Sequence, residues 1–464
     1  MRFLFINPNR YIARDNIWSV VNSITPPLGI AILAAILETN GHKAEIMDAY
    51  AEDFSFEQIL SVIKPDVEII GITSTTPEID SATALARTIR TRYPHKKILM
   101  GGVHPTIFHR HLVEDGVCDM VIRGEGEKAI LRLAEQQPMK DITNLTWKAA
   151  DGEVVVNPEE DEFVQLDDLP IPAYHKLPLG KYRSAIGAAI RHPSIGMITS
   201  RGCPGKCTFC YSGMFGGKTR FLSANNVYEQ ILFLKSHYGI REISFYDDTF
   251  TANQKRVEQL CNLLLSNRLD VSWSCFARID TVKPEILKLM KKAGCHQIMY
   301  GFETTDENVL KAVNKRVETS QYADVVAWTR NAKIDIRGAF MLGSPEETED
   351  GMRATIEYSK KVGIQYAIFN ITTPFPGTAL FAWAEENGFL RHTRWQEYDL
   401  SHAILNLPTV SPEAVGVCYR TAYKEFYFRG SYIFSHLLSL RTWDSVRIHV
   451  EAARNIFMNI VRGQ

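Results

Sequence analysis

Strand-like and helix-like segments alternate along two long stretches of this 464-residue chain. Before residue 135, short β-rich runs such as "RFLFIN", "KAEIMD", "VEIIGIT" and "KKILMGG" are separated by helical patterns such as "PLGIAILAAILETNG". This alternation predicts a parallel, doubly wound α/β sheet with helices on both faces. Ligands of such sheets bind outside the carboxyl ends of the strands, so the residues after each strand are candidate site residues.

A second alternating series follows residue 190, with strands in "REISFYDD", "VSWSCFA", "QIMYGFE", "DIRGAFML" and "YAIFNI". Roughly six βα units can be counted, which predicts a partial (βα)6 barrel of the TIM type with its reactive groups at the carboxyl ends of the strands. We expect a first domain over residues 1–135, a connector over 136–190 with a hairpin near Asp151 and Gly152, a barrel over 191–400 and a helical extension over 401–464.

Charge and hydropathy limit the classes of partner and compartment. The net charge of −1 provides no general attraction for nucleic acid. No uncharged apolar stretch reaches the roughly 18 residues of a membrane span, and "MRFLFINPNR" is too short for a signal peptide, so we expect a cytoplasmic protein. Five cysteines are scattered singly and are expected to be buried thiols without disulfides: Cys118, Cys261, Cys275, Cys295 and Cys418.

The other three cysteines are crowded into "SRGCPGKCTFCYSG", residues 200–213. Cys203, Cys207 and Cys210 form C-x3-C-x2-C, with Phe209 directly before the last cysteine. Structural zinc sites usually have four ligands in two spaced pairs, and no second C-x2-C follows. Three thiolates on one tight loop can instead hold three irons of a [4Fe-4S] cluster and leave the fourth iron open to a ligand.

This cysteine spacing resembles the signature of the radical S-adenosylmethionine (SAM) superfamily, and the resemblance extends over residues 195–400. It implies that the open iron binds the amino and carboxylate groups of SAM, which the reduced cluster cleaves to methionine and a 5'-deoxyadenosyl radical. Glu303, with Gly301 beside it in "YGFET", is then expected to hold the SAM amino group through a charge-assisted hydrogen bond. The other residues that the resemblance implies as SAM contacts are Asp247, Asp248, Arg278, Gly343 and Ser344.

Apart from Glu303 and Gly301, these SAM contacts have alternative interpretations. Asp247 and Asp248 alternatively suit the N-terminus of a helix, where acidic groups complement the macrodipole, although the SAM contact is preferred. Arg278 and Asp280 in "ARID" are equally suited to an internal ion pair, and the Gly343 segment to a strand-to-helix turn. Lys218 and Arg220 match a basic segment of the subgroup or form a solvated basic face.

Three N-terminal segments, "PPLGIAILAAILETNGH", "GGVHPT" and "RGEGE", resemble the Rossmann-like cobalamin-binding domain that precedes many radical SAM enzymes. The chain lacks D-x-H-x-x-G, so the resemblance implies cobalamin bound without a histidine ligand. Alternatively each loop is only a tight turn, and His104 is better interpreted as a turn-stabilising residue. The candidate cobalamin-binding residues are Ser74, Thr75, Gly101, Gly102, His104, Gly124, Glu125 and Gly126.

Together these features predict a cobalamin-dependent radical SAM enzyme that modifies an unactivated carbon of a small, hydrophobic molecule. C-methylation is the preferred outcome, and oxidative cyclisation or ring rearrangement is the alternative. Two further alternatives are an enzyme without cobalamin and an iron-sulfur sensor without catalysis. An electron donor such as flavodoxin or ferredoxin is implied, and no other catalytic side chain is assigned.

The aromatic C-terminal helices are expected to pack across the open side of the barrel, with docking on a membrane surface as the less favoured alternative. The segment "FYFRGSY" resembles the tail of the anaerobic magnesium-protoporphyrin monomethyl ester cyclase group. Gly430 stands where a proline is usual in that group, which weakens any transfer of its substrate.

Overall fold

The computed structural model describes residues 1–9, 23–185, 187–211, 213–391 and 394–439. The chain divides into two compact units. The first comprises the N-terminal strand, Thr25–Tyr182 and Tyr211–Arg220. The second comprises Arg183–Cys210 and the described residues from Phe221 onward.

The first unit is built on a seven-stranded sheet of order β2-β1-β3-β4-β5-β6-β7, in which β1 to β5 are parallel. The order of the parallel strands, 2-1-3-4-5, is that of a flavodoxin-like doubly wound sheet. Its strands are β1 Arg2–Asn7, β2 Lys43–Asp48, β3 Ile69–Thr73, β4 Lys97–Gly101, β5 Met120–Ile122, β6 Leu145–Lys148 and β7 Val154–Val156. Its helices are α1 Leu28–Thr39, α2 Ala49–Glu52, α3 Phe56–Ser61, α4 Ile79–Arg92, α5 Val103–Ile107, α6 His109–Glu114 and α7 Glu127–Ala134.

Strand β1 lies inside this sheet, between β2 and β3, and is apolar on both faces. Phe3 and Phe5 point to one face and pack with α1 and α7, while Leu4 and Ile6 are buried on the other. Gly71 on β3 makes room for this packing, since a Cβ there would lie 2.7 Å from the ring of Phe5. The predicted hairpin is confirmed, because β6 and β7 pair antiparallel and extend the sheet.

The second unit contains a six-stranded parallel sheet of order β15-β14-β13-β12-β11-β8, which curls into a half-barrel. Its strands are β8 Ser194–Met197, β11 Glu242–Phe245, β12 Ser272–Ala277, β13 Cys295–Glu303, β14 Asp335–Leu342 and β15 Tyr366–Ile371, and the short strands β9 Ser200–Arg201 and β10 Arg220–Phe221 follow β8. The helices are α8 Ala224–Tyr238, α9 Gln254–Ser266, α10 Pro284–Lys292, α11 Glu307–Ala312, α12 Ser320–Asn331, α13 Glu349–Lys361, α14 Ala379–Glu386, α15 Pro412–Tyr427 and α16 Gly430–Ser439.

Helix α15 covers the open edge of this half-barrel. Phe302, Phe340 and Phe369 stack along the outer face with ring centroids 5.5 Å apart, and Tyr423 of α15 packs edge-on against Phe369. The hydroxyl of Tyr423 also bonds the backbone of β15. The predicted packing of the C-terminal helices is thus confirmed as far as α15, while residues 440–464 lie outside the described residues.

The predicted fold class is confirmed in both units. Several short helices were not predicted, namely α2, α5, α6, α11 and α14. For α5 the reason is that Gly101, Gly102 and Pro105 make its segment look like a loop. The domain boundaries, including those of the connector, remain predictions. No helix in the described part of the chain combines the length and the apolar character that crossing a membrane requires.

Candidate active site

The cysteine loop begins directly after β8 and is anchored by Asp247 at the carboxyl end of β11. Asp247 is fully buried, and its carboxylate accepts hydrogen bonds from the backbone N–H groups of Thr199 and Ser200 and from the Thr199 hydroxyl. Arg256 of α9 also forms an ion pair with Asp247, with 3.2 Å between Nη2 and Oδ2. These contacts indicate that Asp247 fixes the start of the loop, whereas the neighbouring Asp248 is exposed.

The rest of the loop is held by backbone contacts to later parts of the unit. The Thr208 N–H donates to the Val313 carbonyl at 3.0 Å, and the Thr208 carbonyl accepts from the Leu380 N–H at 2.9 Å. The side-chain amide of Asn314 donates to the Lys206 carbonyl at 2.7 Å. Phe209, between Thr208 and Cys210, is half-buried. Because Thr208 and Lys206 bond residues more than 100 positions away in sequence, the loop conformation depends on the fold of the whole unit.

The three cysteines carry free thiols. Sγ of Cys203 lies 3.2 Å from the Thr249 hydroxyl and accepts a hydrogen bond from the Gly205 N–H at 3.3 Å. Among the described residues, no three Cys, His, Asp or Glu side chains converge tightly enough to hold a single metal ion. A donor set of three thiols on one loop, with an N–H and an O–H group beside the Cys203 sulfur, matches the ligation of an iron-sulfur cluster.

Arg278, after β12, contributes a positive charge beside these thiols. Its guanidinium pairs bidentately with Asp280 at 2.9 Å for both bonds, and Nη1 approaches Sγ of Cys207 to 3.9 Å. Burial raises the pKa of the Cys207 thiol, and the charges of Lys315 and Arg278 oppose that rise. Gly205 fits under the guanidinium, because a Cβ there would lie 2.8 Å from Nη1. The internal ion pair predicted as an alternative is therefore present.

Glu303, at the carboxyl end of β13, forms a buried ion pair with Lys315. Its Oε1 accepts a hydrogen bond from Lys315 Nζ, and its backbone has a φ of 64°, which is unusual for a residue other than glycine. Gly301 leaves the space for this pair, since a Cβ there would lie 2.8 Å from Lys315 Nζ and closer still to Oε1. Burial opposes the charge of Lys315, but Glu303 and Cys207 keep its pKa above the ordinary value.

The loop after β14 is organised by Glu347. The backbone N–H groups of Gly343 and Ser344 donate to Oε2 of this carboxylate at 2.7 and 2.9 Å, and the Ser344 hydroxyl lies 2.8 Å from that of Thr372. Glu347 is fully buried, and burial raises its pKa to about 7. Gly343 has a φ of 77°, so the turn requires glycine.

In the first unit, the loops after β3 and β4 are tied to one another. The Ser74 N–H donates to the Gly101 carbonyl at 3.0 Å, and a Cβ on Gly102, whose φ is 100°, would lie 2.6 Å from the Ser74 carbonyl oxygen. Thr75 caps the following turn through Glu78. These contacts match the alternative that the two loops are tight turns.

His104 is also part of this turn structure. It is 3% exposed, its Nδ1 lies 3.2 Å from the Thr76 hydroxyl, and its ring packs on Phe108 at 4.6 Å. Burial lowers its pKa to about 4, so the imidazole is neutral at physiological pH. The geometry agrees with the turn-stabilising interpretation that the sequence favoured.

The loop after β5 borders a cavity and carries an ion pair. Glu125 forms an ion pair with Arg220, whose guanidinium lies 4.4 Å from the ring centroid of Phe163, while Gly126 precedes α7. Arg220 of the basic segment is therefore paired with an acid and is not part of a solvated face. A cavity of about 170 Å³ lies beside Gly124 and is lined by polar side chains, among them His109, Arg123, Lys128 and Asn144.

Three residues of the second unit that contact predicted site residues were not selected from the sequence: Thr249, Lys315 and Glu347. Glu347 lies three residues after Ser344, but only Gly343 and Ser344 were selected from this loop. Lys315 gave no signal, because a lysine after a short helix is usually a solvated residue.

Comparison with known proteins gives concordant results for the two units. The family model of the radical SAM superfamily matches residues 197–359, and that of the B12 binding domain matches residues 17–134. An uncharacterized methyltransferase of Pyrococcus horikoshii is 35% identical over 417 residues, covering 88% of this chain and 89% of that protein. An anaerobic magnesium-protoporphyrin IX monomethyl ester cyclase of Rubrivivax gelatinosus is 27% identical, covering 82% of this chain and 69% of that protein.

The fold has a match among solved structures. The cobalamin-dependent SAM radical enzyme OxsB, solved with aqua-cobalamin and SAM bound, superposes with a TM-score of 0.74 and 15% identity over 99% of this chain and 72% of that chain. At 15% identity the superposition establishes the fold alone, whereas the 35% identity to the Pyrococcus protein establishes membership in the family. The chain belongs to the radical SAM superfamily, as a member with an N-terminal B12-binding domain.

Proposed function

We propose that this protein is a cobalamin-dependent radical SAM methyltransferase that methylates an unactivated carbon of a small molecule. The observation that carries the proposal is the cysteine loop, where three free thiols are held at the carboxyl end of a half-barrel beside Arg278 and a buried Glu303–Lys315 pair. Methyl transfer is favoured over other outcomes because the 35% identical relative is named a methyltransferase.

Each cofactor has candidate residues on this chain. Cys203, Cys207 and Cys210 would hold three irons of a [4Fe-4S] cluster. Glu303 would accept the ammonium group of SAM through Oε2, which has no hydrogen-bond partner among the described residues. The backbone of the Gly343–Ser344 turn would lie along the nucleoside. The loops after β3, β4 and β5 would hold cobalamin.

The bound cofactors supply reductive cleavage of SAM and methyl transfer to carbon. The protein's part is orientation and exclusion of water. Asp247 and Arg256 hold the loop that positions the thiols, Arg278 balances their charge, and Lys315 fixes one oxygen of Glu303. Glu347 keeps the Gly343 turn closed on itself through two backbone N–H groups.

A small-molecule substrate and an external reductant follow from membership in the family. We further propose flavodoxin or ferredoxin as the electron donor and a hydrophobic substrate. All eight cysteines are free thiols, which supports a reducing compartment, and we therefore propose that the protein acts in the cytoplasm.

Anaerobic reconstitution tests the proposal. Protein loaded with iron, sulfide and hydroxocobalamin is incubated with SAM and dithionite. We expect 5'-deoxyadenosine together with S-adenosylhomocysteine. Cys203→Ala, Cys207→Ala and Cys210→Ala are expected to abolish 5'-deoxyadenosine, whereas Cys118→Ala, a buried thiol of the first unit, serves as the matched control and should behave as the wild type.

The products separate this proposal from its alternatives. The similarity to the cyclase supports oxidative cyclisation as a second candidate, which would give 5'-deoxyadenosine without S-adenosylhomocysteine. Failure to retain the corrin absorbance would favour an enzyme without cobalamin. A wild-type protein that retains its cluster but never cleaves SAM would refute catalysis and favour a sensor.

A further inference from the structure

The Glu303–Lys315 ion pair is buried to an unusual degree. Lys315 is 6% exposed and Glu303 is 9% exposed. Removing two charges from water costs more than a typical surface pair returns, so such a pair is weak evidence of a purely stabilising role. Its position beside the cysteine loop points instead to an electrostatic effect on the cysteines.

Lys315 lies where its charge acts on the thiols as well as on Glu303. It follows α11, and its backbone carbonyl accepts a hydrogen bond from Arg278 Nη2 at 3.1 Å, which ties it to the residue that approaches Cys207. The charges of both Lys315 and Glu303 act on Cys207 and Cys210, with opposite signs. The thiols therefore lie next to a neutral pair and not next to a lone carboxylate.

Lys315 also determines which oxygen of Glu303 remains for a ligand. It donates to Oε1, and the absence of a side chain at Gly301 allows this approach. Without Lys315, a buried carboxylate would face sulfur ligands that carry negative charge themselves. Adding an electron to a cluster on those ligands would then place further negative charge beside an unbalanced anion.

We propose that Lys315 is a positioning residue whose buried charge balances Glu303 beside the cysteine loop and thereby raises the reduction potential of the cluster held there. The inference rests on the proposed function, because it requires a cluster on Cys203, Cys207 and Cys210. In the reduction, one electron passes from an external low-potential donor to the cluster. Lys315 exchanges neither an electron nor a proton.

A potentiometric titration of the reconstituted cluster, followed by electron paramagnetic resonance without SAM, tests this role. Lys315→Met is expected to lower the reduced fraction at a fixed potential at least tenfold, a shift of about 59 mV for one electron. Lys315→Arg keeps the charge and should restore the wild-type potential. Lys311→Met makes the same change at an exposed position four residues earlier and should leave the potential unchanged.

Glu303→Gln should shift the reduction potential of the cluster in the opposite direction. It removes the negative member of the pair and should raise the potential, while the double variant Glu303→Gln/Lys315→Met should return it close to the wild-type value. If Lys315→Met assembles no cluster, assembly by the double variant at a near wild-type potential supports charge balance. Failure of the double variant as well refutes it.

Two results overturn the inference. One is a Lys315→Met cluster with the potential of the Lys311→Met control, and the other is a shift of both single variants in the same direction. Iron and sulfide content of the wild type is measured first. A wild type without a cluster overturns the proposed function, whereas a cluster with an unaltered potential overturns only the role of Lys315.

Discussion

Two tyrosines of α15 complete the hydrogen bonding of the edge strand β15. Tyr423 donates to the Phe369 carbonyl at 3.0 Å and accepts from its N–H at 3.2 Å, and Tyr427 makes the same two bonds to Ala367 at 2.6 and 3.1 Å. Four residues of helix rise about 6 Å, and two residues of strand span about 6.6 Å, so the spacings match. Each hydroxyl thus serves two backbone groups that a neighbouring strand would otherwise bond.

Tyr423→Phe and Tyr427→Phe should therefore destabilise the second unit. Each change leaves a buried N–H and a buried carbonyl without a partner, because Phe369 and Ala367 are almost fully buried. An unsatisfied buried group costs about 1–3 kcal/mol, so the two groups that each variant leaves unpaired should cost at least about 2 kcal/mol, and the double variant at least about 4 kcal/mol. At roughly 2–4 °C per kcal/mol, each single variant should lower the Tm by about 4–8 °C.

Thermal unfolding followed by circular dichroism measures this loss, and light scattering reports whether the uncovered edge promotes association. Tyr358→Phe in α13 is the matched control, since the Tyr358 hydroxyl is buried with no hydrogen-bond partner among the described residues. Removing it should leave the Tm unchanged or raise it. Equal shifts for Tyr358→Phe and Tyr423→Phe would refute the edge-bonding argument.

Two further predictions concern the site. Gly301→Ala places a methyl group against Lys315 Nζ and Oε1 of Glu303, so isothermal titration should show at least about tenfold weaker SAM binding with the cluster retained. Gly29→Ala, with no atom within 4 Å of the added Cβ, should bind SAM normally, and equal affinities for both variants would contradict the prediction. Burial raises the pKa of Glu347 from 4.5 to about 7, so its contribution to stability is fully present below 4.5 and is lost as the pH rises through about 7. Glu347→Gln should reduce the decrease in Tm as the pH rises through about 7. If the decrease is the same as in the wild type, it is caused by other groups.

The elements of both sheets were predictable because their signals are local. Alternating apolar runs and helical patterns identify strands such as β13 and helices such as α9 without any knowledge of tertiary contacts. Helices α5 and α6 were not predicted because each spans fewer than two turns, and Gly101, Gly102 and Pro105 interrupt the helical pattern at α5. The cluster site was predictable for the same reason, since its three cysteines lie within eight positions of the sequence.

The roles of single side chains were less predictable because they depend on partners distant in sequence. Asp247 was selected as a cofactor contact, yet the structure uses its carboxylate to hold Thr199 and Ser200. His104 was selected with a turn-stabilising alternative, and its contact with Thr76 agrees with that alternative. Lys315 escaped because only the fold places it beside Glu303.

Three acid–base pairs surround the cysteine loop: Asp247–Arg256, Arg278–Asp280 and Glu303–Lys315. Each pair is neutral as a whole, so none of the three leaves an unbalanced charge beside the cysteines. In the Asp247 and Glu303 pairs both members are largely buried, and removing one member leaves an unbalanced charge that costs several kcal/mol. Loss of activity in a variant such as Glu303→Gln therefore does not by itself identify a SAM contact. The test of each predicted contact is the comparison of the single variant with the variant that removes its partner as well, because only a residue that touches the ligand stays defective when the charge is balanced again.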